Sequence, residues 1–258
     1  MAKTRRRART STPRSRKSVR AAAKTAAAPT GPLTLAQARA LAAPVAPAGA
    51  AGRVRAAAGA APSSPADVGR ERRRLEVERR KEKRRRVQEY TATLRLLKKH
   101  GVAAPAGAAR ARGATAAAAI TAPLQVVAEG DSWFDYPKPF FGGGIIPRLE
   151  GLIGVPILNL AKAGDEVRFM LGVDERKELI TQLRNGCPAG GPWDALLFSG
   201  GGNDIVDDPM CLWIRDFDPA LPPAGLIHQA RFDTALALVR AGYEDLIAVR
   251  DAVSPATH

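Results

Sequence analysis

The chain has two cysteines and three histidines in 258 residues, and this scarcity narrows its chemistry. Cys187 and Cys211 are too few for a disulfide framework, and neither lies in a Cys-x-x-Cys or Cys/His cluster. They read as two unlinked thiols in a reducing compartment. His100, His228 and His258 adjoin neither the Gly-Asp nor the Gly-Asn segment, which excludes a binuclear metallophosphoesterase. No run reaches the roughly 18 apolar residues that a membrane helix needs. The basic start, Met1 to Arg7, is followed by alanines broken by Lys24, Pro29, Pro32 and Arg39 rather than by a compact apolar core. A signal peptide is therefore not expected, and the reading is a cytoplasmic protein without a membrane span. Large apolar side chains are also missing from the first half: almost all Phe, Trp, Ile and Met lie after residue 119. Alanine buries little area per residue and offsets little of the entropy of ordering its own chain.

Charge divides the chain at the same place. Residues 1–120 hold 29 of the 40 Lys and Arg and 6 of the 25 Asp and Glu, a net of +23, while residues 121–258 carry a net of −8. Residues 1–66 are basic, then Ala/Pro/Gly-rich, and are expected to be disordered, except for a short helix over 34–43 capped by Thr34. Residues 67–101 predict one long charged helix: Asp67 suits an N-cap, no Pro or Gly falls between Arg70 and His100, and Gly101 suits the position after its end. Glu76 with Arg80 and Glu82 with Arg86 are i,i+4 pairs in the favourable order. From Val87 an apolar stripe runs through Tyr90, Leu94 and Leu97. It describes either a solvated helix with a small docking edge or a nucleic-acid or partner contact. Residues 102–122 return to an Ala/Gly/Pro/Arg linker.

From residue 123 onward the pattern is α/β. Short apolar runs at 124–128, 156–160 and 194–199 predict strands, and 145–153, 175–184 and 232–253 predict helices. In the last of these, Leu236, Val239, Tyr243, Leu246, Ile247 and Val253 mark the apolar side. Strands alternating with helices imply a parallel sheet covered on both faces, in one domain over 123–258.

Function collects at the carboxyl ends of strands in such sheets. The three strands here end in Glu129-Gly130-Asp131-Ser132-Trp133, in Asn159-Leu160-Ala161-Lys162-Ala163-Gly164, and in Gly200-Gly201-Gly202-Asn203-Asp204. Each alone reads as an ordinary turn; all three, in this order and each after a strand, point to acyl transfer. That chemistry needs an exposed hydroxyl and donors aimed at a developing oxyanion. Ser132 supplies the hydroxyl. The backbone N–H groups of Ser132 and Gly164 and the side-chain amide of Asn203 supply three donors. The α/β-hydrolase elbow is excluded because Phe134 stands where its second glycine belongs. A P-loop is excluded because its Gly-Lys-Ser/Thr is absent. Trp133, Phe134, Tyr136, Phe140 and Phe141 either line an acyl pocket or pack the sheet edge.

These blocks resemble those of the SGNH (GDSL-like) hydrolases over about residues 124–255. The resemblance implies a three-layer α/β sandwich around a flavodoxin-like parallel sheet. It implies an ester hydrolase with Ser132 as nucleophile, Gly164 and Asn203 completing the oxyanion hole, a small ester substrate, and neither cofactor nor metal. The family's late Asp-x-x-His has no counterpart: Gly225 stands three before His228, and Pro255 three before His258. The expectation is a domain incomplete at its carboxyl end, with little or no esterase activity. The alternative is a protein that binds nucleic acid or another polyanion through residues 1–100, with a non-catalytic hydrolase-like domain.

Overall fold

A computed structural model describes residues 31–43, 65–103, 122–136, 143–206 and 208–258. The expectations for residues 1–30, for most of the linker, and for Phe140 and Phe141 lie outside these. The described chain is a mixed α/β structure. In order its elements are α1 (Leu35–Ala42), α2 (Pro65–His100), β1 (Val126–Glu129), α3 (Ile145–Ile153), β2 (Ile157–Asn159), α4 (Val167–Met170), α5 (Val173–Asn185), β3 (Ala195–Phe198), α6 (Gly202–Val206) and α7 (Gln229–Val253). Two 3₁₀ turns, Asp208–Leu212 and Pro223–Leu226, lie between α6 and α7.

The three strands form one open, all-parallel sheet in the order β2-β1-β3. Val126 is level with Ile157 and Ala195, and Glu129 is level with Phe198. Strand residues alternate between two apolar clusters. Val127, Leu158, Leu196 and Phe198 face Tyr90 and Leu94 of α2, Leu179 and Leu183 of α5, and Leu246 and Val249 of α7. Val126, Ala128, Ile157, Ala195 and Leu197 face Ile146, Leu149 and Ile153 of α3, with Phe134 beside them. Burial on both faces is why the strands read as unbroken apolar runs rather than as alternating ones.

The long helix is two structures in one. From Leu75 to Lys81 every residue is exposed, whereas Tyr90, Thr93, Leu94 and Leu97 are buried. The stripe that begins at Val87 is thus part of the main core, well beyond a small docking edge. The ring centroid of Tyr90 lies 5.8 Å from that of Trp193, the largest fully buried side chain. Leu97 joins Leu33, Ala38, Val102 and Val155 in a third cluster that seats α1. Thr34 caps α1 in a reciprocal box with Gln37, and an Arg39–Glu150 pair at 2.7 Å ties α1 to α3.

Several expectations are corrected at element ends. Helix α2 begins at Pro65, so Asp67 lies inside it rather than at its cap. Proline's fixed φ suits a first helical position, where no amide donor is needed. Glu82 does meet Arg86 at 3.2 Å, but Glu76 lies against Arg72 at 3.8 Å instead of Arg80. Helix α5 starts two residues early and α7 three. On α7 the core side is Gly242, Leu246 and Val249, while Leu236 and Ile247 are exposed. Gly242 belongs there because an added Cβ would press into Val167 and lie 3.2 Å from Leu171.

Candidate functional site

The parallel register brings the three strand-end sequences to one edge of the sheet. Ser132, Gly164 and Asn203 stand on loops that leave neighbouring strands side by side, with the Ser132 loop in the middle. Hydrogen bonds join these loops. The Lys162 amide donates to the Gly130 carbonyl at 2.8 Å. The Ser199 hydroxyl donates to Asp131 Oδ1 at 2.8 Å and accepts from the Asp131 amide at 3.3 Å. Asn203 Nδ2 donates to the Asp165 carbonyl at 2.8 Å, and Asp204 Oδ2 accepts from the Val167 amide at 2.9 Å.

Ser132 sits half-buried in a turn whose geometry Asp131 sets. The Asp131 carbonyl accepts from the amides of Phe134 and Asp135, both at 3.1 Å, and its carboxylate accepts from the Trp133 amide at 3.0 Å. Gly130 allows the first and third loops to approach, since a Cβ there would lie 2.7 Å from the Ser199 carbonyl oxygen. Gly164 has φ +84°, which favours glycine, and the space where its Cβ would stand is open. Asn203 is anchored through Nδ2, which has a second hydrogen to donate.

Three carboxylic acids are buried around this edge: Glu129, Asp131 and Asp165. Burial pushes the Glu129 carboxyl up to about 7, against an opposing pull from Lys83 and the Gly130 amide. Its Oε1 accepts from that amide at 3.1 Å, and its Oε2 is buried without a partner. Burial also raises Asp165, which is ion-paired to Lys162. Among the described residues no group of three or more His, Cys, Asp or Glu could hold a metal ion.

None of the three histidines is placed to serve Ser132. His258 hydrogen-bonds through its backbone to Asp194 and Leu196, at the amino end of β3. That is one strand length from the site, about 10 Å at 3.3 Å per residue, before the Ser132 turn begins. His100 follows Lys98, which reaches Gln125 just before β1, again at the amino end. His228 caps α7 eleven residues before Val239, the residue that abuts Gly201. At 1.5 Å per residue this is roughly 16 Å along the axis beyond the site.

The structure adds residues that sequence spacing had not singled out. Asp131 and Ser199 form the main link between the first and third loops, although they are 68 positions apart. Arg86 of α2 donates to the carbonyls of Asn159 at 3.4 Å and Ala161 at 3.2 Å, and to Asp135 at 2.7 Å, so it covers the outer edge of β2. The signal that could have found it was its place on the turn before the Val87 stripe. Of the aromatic residues after Ser132, Phe134 packs under the sheet, and Tyr136 lines a cavity of about 620 Å³ between α2 and the Ser132 loop.

No protein-family model, curated protein or solved structure matches this chain.

Proposed function

We propose that the domain built on this sheet is an ester hydrolase of the SGNH type. Ser132 is the nucleophile, and the oxyanion is held by the amides of Ser132 and Gly164 and by Asn203 Nδ2. The observation that carries this reading is the convergence of Gly-Asp-Ser, Asn-x-Ala-x-x-Gly and Gly-Gly-Asn-Asp loops on one sheet edge, cross-linked by the Asp131–Ser199 and Asn203–Asp165 hydrogen bonds. The strand order β2-β1-β3 supports it, because it begins the flavodoxin-like order that the SGNH sandwich shares. Two free cysteines fit a cytoplasmic setting, and no helix among the described residues is long and apolar enough to cross a membrane.

In this reading the acyl carbonyl lies over Ser132 with its oxygen toward Gly164 and Asn203. Attack by Oγ transfers negative charge to that oxygen, where fixed donors stabilise it without reorganising solvent. The hydroxyl proton needs an acceptor. None of this chain's histidines is within reach, so turnover by the 258-residue chain is expected to be slow. The test separates nucleophile from turnover. A fluorophosphonate probe labels Ser132 slowly in the parent and not in Ser132→Ala, and a short-chain aryl ester is cleaved at a low rate that Ser132→Ala removes. Labelling elsewhere, or cleavage unaffected by Ser132→Ala, overturns the assignment.

A second reading, polyanion binding, is favoured by the outer half of α2, where Arg72 and Arg74 are exposed and the whole stretch to Lys81 faces solvent. Binding of this kind would be independent of sequence and would weaken steeply with salt.

A further inference from the structure

The geometry points to the 620 Å³ cavity beside Ser132 as a binding site for a neutral, polyhydroxylated ring, so that the proposed ester substrate is an acylated carbohydrate. The ester part of this statement rests on the hydrolase reading above, whereas binding of the ring does not. The cavity has the volume of a small-molecule site. It is walled by α1 and α2 on one side and by the loops of the candidate site on the other. Phe134, Asp135 and Tyr136 follow Ser132 by two to four positions, and Ala163 precedes Gly164. A group held there lies next to both the nucleophile and an oxyanion donor.

The chemistry of the wall selects the ligand. Three arginines and four carboxylates line it, and every one of the seven is already paired. Arg39 meets Glu150 at 2.7 Å, and Arg85 meets Glu82 at 2.7 Å and Glu89 at 3.2 Å. Arg86 meets Glu82 at 3.2 Å and Asp135 at 2.7 Å. An anionic ligand would have to take a guanidinium from a carboxylate it already holds. A fatty acyl chain would strip water from seven charged groups without replacing those hydrogen bonds, which is costly. A sugar avoids both costs. Its hydroxyls exchange hydrogen bonds with the outward edges of the ion pairs, and its C–H faces lie on the apolar surfaces of Tyr136, Ile146, Pro147 and Ile157. Tyr136, part-exposed, is the aromatic surface open to such stacking.

The experiment uses the full 258-residue chain and four probes: methyl β-D-glucopyranoside, cellotriose, sodium octanoate and inorganic phosphate. Saturation-transfer NMR and titration calorimetry are expected to detect both sugars, with Kd on the order of 1–10 mM for the tighter one, and neither octanoate nor phosphate. Tyr136→Ala is expected to weaken sugar binding at least about fivefold, while Ser132→Ala leaves it unchanged. Sugar binding that responds to Tyr136→Ala in a chain without ester turnover upholds this inference and counts against the hydrolase reading. Octanoate or phosphate binding in place of sugar, sugar binding indifferent to Tyr136→Ala, or no binding of any probe overturns the inference whatever the turnover.

Discussion

The two ends of the sheet are built on opposite principles. At the amino end Trp193 is fully buried, donates from Nε1 to the Gln182 carbonyl at 2.8 Å, and packs against Tyr90. Around it Gln125, Asp194, Lys98 and Thr257 hydrogen-bond to one another or to the backbone. At the carboxyl end the loops carry glycines at positive φ, three buried acids, and one carboxylate oxygen with no partner. One end is packed and satisfied. The other holds buried charge at a cost, as functional sites do. The difference teaches that stability and chemistry sit at different levels of the same three strands.

The largest effect that could break this comparison is Trp193→Ala. Removing a fully buried indole from a packed core costs about 3–5 kcal/mol. The Gln182 carbonyl would lose its donor, and Tyr90 its ring partner. Urea denaturation should show that loss, while fluorophosphonate labelling of Ser132 under native conditions stays within about twofold of the parent. A large change in labelling with little loss of stability would mean that the two ends are not separable.

The sequence made the candidate site more legible than its surroundings. The three strands were visible as short apolar runs, and their ends carried Gly130-Asp131-Ser132, Gly164 and Asn203 as local strings. Local strings are what a sequence displays. The docking of α2 was half visible: the spacing of Val87, Tyr90, Leu94 and Leu97 marked a face, but periodicity does not say what a face meets. That its partners are Trp193, Leu158 and Leu179 depends on chain segments 60 to 100 positions away. The Asp131–Ser199 link, the Arg86 cover on β2 and the cavity beneath it were hidden for the same reason. On α7 the pattern misled, because apolar residues such as Leu236 and Ile247 lie on its exposed side.

The second prediction sharpens the contrast from the carboxyl end. Glu129 is pushed up to about 7 from an ordinary 4.5, so the folded state favours its protonated form. The stability this contributes is fully present below about pH 4.5 and is lost as pH rises through about 7. A shift of that size corresponds to on the order of 3 kcal/mol. Glu129→Gln keeps an oxygen for the Gly130 amide and removes the charge. The variant should match the parent at pH 4 and exceed its stability by roughly 2–3 kcal/mol at pH 8, with the gap opening between pH 5 and 7 in urea titrations. Comparing parent and variant at each pH cancels the titration of Lys83, Glu178 and Asp165, which also act on this group. A variant less stable than the parent at pH 8 would show that the buried charge is compensated.

The smallest effect is expected at the chain's last residue, and it tests the comparison most directly. His258 is the only late histidine, and a hydrolase reading from sequence alone would look to it for the base. Its engagement with the fold is through the backbone. Its amide donates to the Asp194 carbonyl at 3.0 Å, and its carbonyl accepts from the Leu196 amide at 2.8 Å, both at the amino end of β3. Thr257, buried beside it, holds the segment by donating from Oγ1 to the Trp193 carbonyl at 3.1 Å. Alanine keeps both backbone bonds and all of the Thr257 contacts, and it removes only an exposed imidazole. Substitutions of that kind stay within about 0.5 kcal/mol. Ser132 lies at the far end of the strands, beyond the reach of a side chain anchored at Ala195, so His258→Ala should leave aryl-ester cleavage and probe labelling unchanged within about twofold. A drop of tenfold or more in either would place the imidazole at the carboxyl edge. The β3 register, and with it the separation of the packed end from the chemical end, would then be wrong.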